Sequence, residues 1–119
     1  MPIHEKLNYV EFPSCNLPAT KLFFEQVFSW TFVDCGPDYA AFNGEGLDGG
    51  FFTSEQSSST ATGSALLVFY SASLERTLEK ITANGGTIIR PIFTFPGGRR
   101  FHFAEPSGNE FAVWSDLGG

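Results

Sequence analysis

Glu11 and His102 are the two side chains in this sequence best suited to passing a proton near neutral pH. An imidazole titrates close to neutrality, and a carboxylate beside it can take or return the proton, as general acid–base work requires. Joined by Glu110, the same pair would also make an unorthodox metal site of two carboxylates and one imidazole. The plainer reading is a hydrogen-bonded histidine that shapes a pocket and moves no proton. Their surroundings are rich in rings, since 14 of the 119 residues are Phe. Burial among rings raises a carboxyl pKa and an adjacent imidazolium lowers it, so the charge state of the pair stays open at this level.

The remaining reactive groups carry less. Cys15 and Cys35 have no CxxC spacing, and neither stands in a local motif that would lower its pKa; both are expected to be free thiols. His4 precedes the first strand and is expected at the surface. Arg99 and Arg100 form the only basic pair, suited either to an anionic ligand or to the solvated flank of a turn. A net charge of −6 argues against a nucleic-acid partner, which needs clustered Lys and Arg, and permits a cationic ligand without demanding one. The longest apolar run, residues 65–70, is too short to span a bilayer. The opening MPIHEKLNYVEF lacks the pattern of a secretory signal, so a cytoplasmic protein without membrane contact is expected.

The elements that must hold these groups form a unit written twice. YVEFPSCNLPATKLFFEQVF from Tyr9 and LLVFYSASLERTLEKITANG from Leu66 align at an offset of 57, which pairs Phe12 with Phe69, Leu17 with Leu74, Thr20 with Thr77 and Phe24 with Ile81. Each copy reads as a strand, a polar break and an amphipathic helix, followed by about thirty residues rich in turns and aromatics. In the first unit the strand covers residues 7–13, Asn16 is the helix N-cap with Pro18 in the first turn, and strands follow at 31–34, 39–43 and 47–53. In the second, strand 65–70 leads to a helix capped by Ser73 and ended by Gly85-Gly86. Strands follow at 87–90, 92–95, 99–104 and 110–115. SEQSSSTATGS, residues 54–64, is small and polar without periodicity and is the expected linker and the most mobile segment. The prediction is one α+β domain of two βαβββ modules, about 5–53 and 65–116, with helices on one face of each sheet.

NYVEFP, LPATKLFFEQVFSWTF, DYAAFNGEGLDGGFF and PGGRRFHFAEPSGNEFAVW, in that order, resemble the vicinal oxygen chelate superfamily of glyoxalases, bleomycin resistance proteins and extradiol dioxygenases. The likeness spans about residues 7–115 and is nearest the small glyoxalase-like branch. It implies a cupped, half-open barrel of two βαβββ modules, often in a homodimer, with a metal in the cup. The resemblance puts the metal ligands, His or Glu in the family, at Tyr9, Gly50, Leu66 and Ala112. None of these is a usual ligand for a divalent ion, so neither a metal nor another cofactor is expected there.

Strand alternation then fixes the cup wall. If Tyr9 faces the cup, so does Glu11; Asp48, Gly50 and Phe52, then Leu66, Val68 and Tyr70, and Glu110, Ala112 and Trp114 follow. Phe101 and Phe103 belong to the core, which turns Arg100 and His102 to the cup. The candidate ligand contacts are Tyr9, Glu11, Phe52, Tyr70, Arg100, His102, Glu110 and Trp114, with Glu11 and His102 as the candidate catalytic pair. A metal-free small-molecule-binding protein of the bleomycin-resistance type is the first functional expectation. A glyoxalase-like lyase or isomerase using Glu11 and His102 with no metal or an atypical one is the second, and a scaffold whose cup is filled by its own Phe is the third.

Overall fold

The structure, a computed structural model, describes residues 2–116. Each module opens with a strand, β1 (Tyr9–Ser14) or β5 (Leu67–Tyr70), and turns into a helix, α1 (Leu17–Phe28) or α2 (Leu74–Ala83). Asn16 caps α1 by accepting the Ala19 amide at 3.2 Å, and Pro18 sits where a helix has no use for an N–H. Ser73 stands at the α2 cap but makes no side-chain cap bond; Ser71 Oγ accepts the Ser73 amide at 3.0 Å.

Three strands follow each helix: β2 (Phe32–Asp34), β3 (Tyr39–Phe42) and β4 (Asp48–Thr53), then β6 (Thr87–Phe95), β7 (Gly98–Ala104) and β8 (Glu110–Asp116). The sheets have the orders β1-β4-β3-β2 and β5-β8-β7-β6, with β1 parallel to β4, β5 parallel to β8 and the other pairs antiparallel. This is the expected α+β arrangement of two βαβββ modules. There is no closed barrel, because β1 and β5 are both edge strands and no ladder joins them. The sequence splits 87–95 at Pro91, but β6 runs through it as one strand. It is an outer edge, where the missing proline N–H is tolerated, and two register shifts absorb the irregularity.

The core lies on the helix-bearing faces and is continuous between modules. Phe24 of α1 is fully buried; its ring lies 4.5 Å from Trp30 and 5.5 Å from Phe51 in its own module, and 5.5 Å from Phe111 in the other. Phe12 and Phe111 also meet across the modules at 5.0 Å. Each such buried ring contributes roughly 1.5–3 kcal/mol of burial. Phe101 and Phe103 are fully buried in the core, as expected, but burial does not alternate along β7, because His102 between them is only 7% exposed.

A polar lock crosses the same boundary. Glu105, 2% exposed, accepts from Thr20 Oγ1 (2.8 Å), the Ser107 amide (2.9 Å), Asn109 Nδ2 (2.6 Å) and the Asn109 amide (3.3 Å). Asn109 Nδ2 also donates to the Pro13 carbonyl at 2.6 Å, and Ser107 Oγ lies 2.8 Å from Ser14 Oγ. The β7–β8 turn is thereby tied to β1 and α1.

Residues 54–64 do not run free of the modules. They contain a 3-10 turn (Thr60–Thr62) and are fastened to the start of β8: Ser58 N–H donates to Asn109 Oδ1 at 2.8 Å, and the Glu110 amide donates to the Ser58 carbonyl at 2.7 Å.

Candidate functional site

On the first sheet, the face away from α1 carries Tyr9, Glu11, Tyr39 and Phe52. Register places Glu11 opposite Gly50 and Tyr39 opposite Phe52. Tyr39 Oη donates to Glu11 Oε2 at 3.0 Å and lies 2.5 Å from Tyr9 Oη. A carboxylate can only accept, so the chain of donors runs from Tyr9 O–H to Tyr39 and from Tyr39 O–H to Glu11. Burial, followed by the hydrogen bonds of Tyr9 and Glu11, pushes the Tyr39 pKa well above its ordinary value. Tyr39 is therefore a fixed donor near neutral pH. Its ring and hydroxyl also lie over Gly50: a Cβ at that position would collide with both.

The corresponding face of the second sheet holds a closed cluster. His102 Nδ1 lies 2.8 Å from Glu110 Oε2, and His102 Nε2 lies 2.9 Å from Arg100 Nη2. Arginine only donates and carboxylate only accepts, so the neutral tautomer with the proton on Nδ1 satisfies both contacts. Glu110 Oε1 accepts from the amide and the hydroxyl of Thr60, both at 2.9 Å. Desolvation raises the Glu110 pKa, but the hydrogen bonds from His102 and Thr60 outweigh it and hold the carboxyl below its ordinary range. His102 and Glu110 are 7% and 5% exposed. Both imidazole nitrogens are thus engaged, and the Glu110 carboxylate fastens the linker.

The candidate residues divide accordingly. Arg100, His102 and Glu110 come together, as do Tyr9 and Glu11. Tyr70 and Trp114 form a third pair, ring to ring at 5.1 Å, with Tyr70 Oη donating to Asp116 Oδ1 at 2.8 Å. Among the described residues no hydrogen bond joins Glu11 to His102; their partners lie on different sheets. Sequence reasoning missed Tyr39 and Thr60. Tyr39 was legible as the β3 residue two positions from Ala41, which pairs with Gly50, and hence on the same face. Nothing in the linker's composition marked Thr60.

Two hollows follow the gap between the β1 and β5 edges. One, about 420 Å³, is walled by apolar groups including Trp30 and Phe42, with Glu45 at its rim. The other, about 700 Å³, runs between β1 and the linker and holds Glu11 and Phe52. Val10, Phe12 and Leu67 line both.

The four positions at which the resemblance puts a metal do not fit one. Gly50 and Ala112 offer no donor atom, Leu66 lies just before β5, and the Tyr9 hydroxyl is bonded to Tyr39. Among the described residues, no group of three or more His, Cys, Asp or Glu could hold a metal ion.

Paired βαβββ modules, with polar groups on the faces away from the helices, define the class. Residues 6–113 match the model of the Glyoxalase/Bleomycin resistance protein/Dioxygenase superfamily, and the chain belongs to that family. Among solved structures it is similar to a glyoxalase/bleomycin resistance protein/dioxygenase family enzyme from Burkholderia phytofirmans PsJN: 19% identity, TM-score 0.79, 94% of this chain and 99% of that one. It also resembles the genomically encoded fosfomycin resistance protein FosX from Listeria monocytogenes: 16% identity, TM-score 0.77, 97% and 96% covered. A lactoylglutathione lyase from Agrobacterium tumefaciens aligns at 17% identity and TM-score 0.69, over 93% of each chain. These identities show the shared fold alone. No curated protein matches the chain. Among the described residues no helix is long and apolar enough to cross a membrane.

Proposed function

We propose that this chain is a small-molecule-binding protein of the glyoxalase/bleomycin-resistance type that works without the family's metal. It holds its ligand on the faces away from the helices, as a cytoplasmic homodimer. The observation that carries this reading is Tyr39: its ring takes the space a ligand side chain at Gly50 would need, and its hydroxyl is bonded to Tyr9, a second of the four positions. Exposed Tyr9, Val68 and Tyr70 supply apolar contact area on these faces. The names of the similar structures, a fosfomycin resistance protein and a lactoylglutathione lyase, support a small molecule as the partner.

The lyase or isomerase reading has less support. It needs an imidazole nitrogen free to meet a substrate, and Arg100 and Glu110 engage both nitrogens of His102.

The test is a thermal-shift screen of small molecules against protein purified without added metal, with metal content measured in parallel. A ligand that binds only the folded state raises the transition temperature by mass action. The expected result is a hit whose shift survives chelator, from protein with substoichiometric zinc, nickel and iron. Stoichiometric metal lost on replacing Tyr9 would overturn the metal-free reading. Sedimentation should give twice the 13.0 kDa chain mass.

A further inference from the structure

Glu11 is held firmly yet only half used. Tyr39 fixes Oε2, while Oε1 has no hydrogen-bond partner and no cation pairs with the carboxylate among the described residues. The carboxylate borders the 700 Å³ groove, whose size suits a small organic molecule. Below it the wall is apolar: Pro13, Phe52, Val10 and Leu67. The facing wall is the linker, with Gln56, Ser57, Ser58 and Thr62. That wall is held in place, because Ser58 is bonded to Asn109 and Thr60 to Glu110.

We propose that this groove binds a small organic amine, its ammonium on Glu11 and its apolar or aromatic body along Pro13 and Phe52. The inference rests on the small-molecule reading above and names the ligand class. Among the described residues Glu11 is the only charged side chain lining the groove, so an anion there would meet repulsion and a neutral molecule would gain no ion pair. The linker hydroxyls supply hydrogen bonds for the remaining N–H groups. The overall charge of −6 raises the local concentration of cations and opposes anions in the same sense.

Three probes of one shape separate the possibilities: 2-phenylethylamine, 2-phenylethanol and phenylacetate, titrated into 15N-labelled protein while amide shifts are followed. The amine should bind most tightly, moving the amides of Glu11, Phe52 and residues 56–58, and its affinity should fall as salt is added. Glu11→Gln should keep the spectrum of a folded protein and weaken the amine about tenfold, with 2-phenylethanol unaffected. Phenylacetate binding as well as the amine, amine binding indifferent to Glu11→Gln, or shifts confined to other residues would each sink the amine assignment and leave the small-molecule function standing. If none of the three binds while the broad screen finds a ligand, the inference fails alone. If the screen also finds nothing, both fail.

Discussion

Where β1 turns into α1, Ser14 Oγ lies 3.0 Å from Thr20 Oγ1; where β5 turns into α2, Ser71 Oγ lies 2.7 Å from Thr77 Oγ1. Asn16 N–H bonds Ser14 Oγ as Ser73 N–H bonds Ser71 Oγ. The two junctions are one device at the repeat offset, yet only the first was extended. Ser107 and Glu105 of the second module reach onto the Ser14–Thr20 pair, whereas the Ser71–Thr77 pair has no such addition. The outer faces diverge in the opposite sense. The first leaves a carboxylate open beside Tyr39, and the second closes its carboxylate with His102, Arg100 and Thr60. A duplicated unit can therefore keep its backbone logic while one copy takes on the joining of the halves and leaves its outer face accessible.

The core tests this division most severely. Phe24→Ala should cost about 4–5 kcal/mol in chemical denaturation, because the ring touches both modules, while Ile81→Ala at the equivalent buried position should cost about 3 kcal/mol. Equal losses would erase the asymmetry. The lock comes next. Glu105→Ala strands four buried donor bonds and should cost about 3 kcal/mol, against about 1 kcal/mol for Thr77→Val in the unextended junction.

Two glutamates of opposite habit give a smaller, pH-dependent effect. Burial raises the Glu105 pKa above 4.5 despite its donors, so the folded chain binds that proton more tightly than the unfolded chain. The associated stability is complete below pH 4.5 and is lost as pH rises through the folded value. For Glu110, whose pKa is lowered on balance, the contribution is present above 4.5 and is lost as pH falls through the folded value. In stability measured against pH, Glu105→Gln should flatten the slope above 4.5 and Glu110→Gln the slope below it. Identical curves for the two variants would contradict the assignment. The smallest effect belongs to the linker: Thr60→Val removes one of two bonds to Glu110, and limited proteolysis within 54–64 should quicken with little change in global stability.

Much of the fold was legible because it rests on local patterns. The Asn16 cap, the turn residues and the amphipathic helix pattern within each copy of the repeat all act over short stretches. The site was legible by face but not by partner. Alternation put Glu11 and His102 on the faces away from the helices, but it says nothing about which neighbour across a sheet reaches them first. Tyr39 of β3, which reaches Glu11, and Glu110 of β8, which reaches His102, are such neighbours. The tie of the linker to Glu110 joins residues 50 apart through a serine- and threonine-rich stretch whose composition reads as slack. A strand interrupted by Pro91 reads as two from sequence, because the exemption for edge strands depends on the assembled sheet.

The tyrosine lying over Gly50 also sets the order in which this protein can change. Any side chain introduced at 50 must first displace Tyr39, whose release gives up its bonds to Tyr9 and Glu11. Removing the tyrosine first opens the space, but by itself adds no donor. Either order of single changes gives up the Tyr39 bonds before a complete ligand set exists, so directed evolution toward metal binding should begin from a library varied at 39 and 50 together.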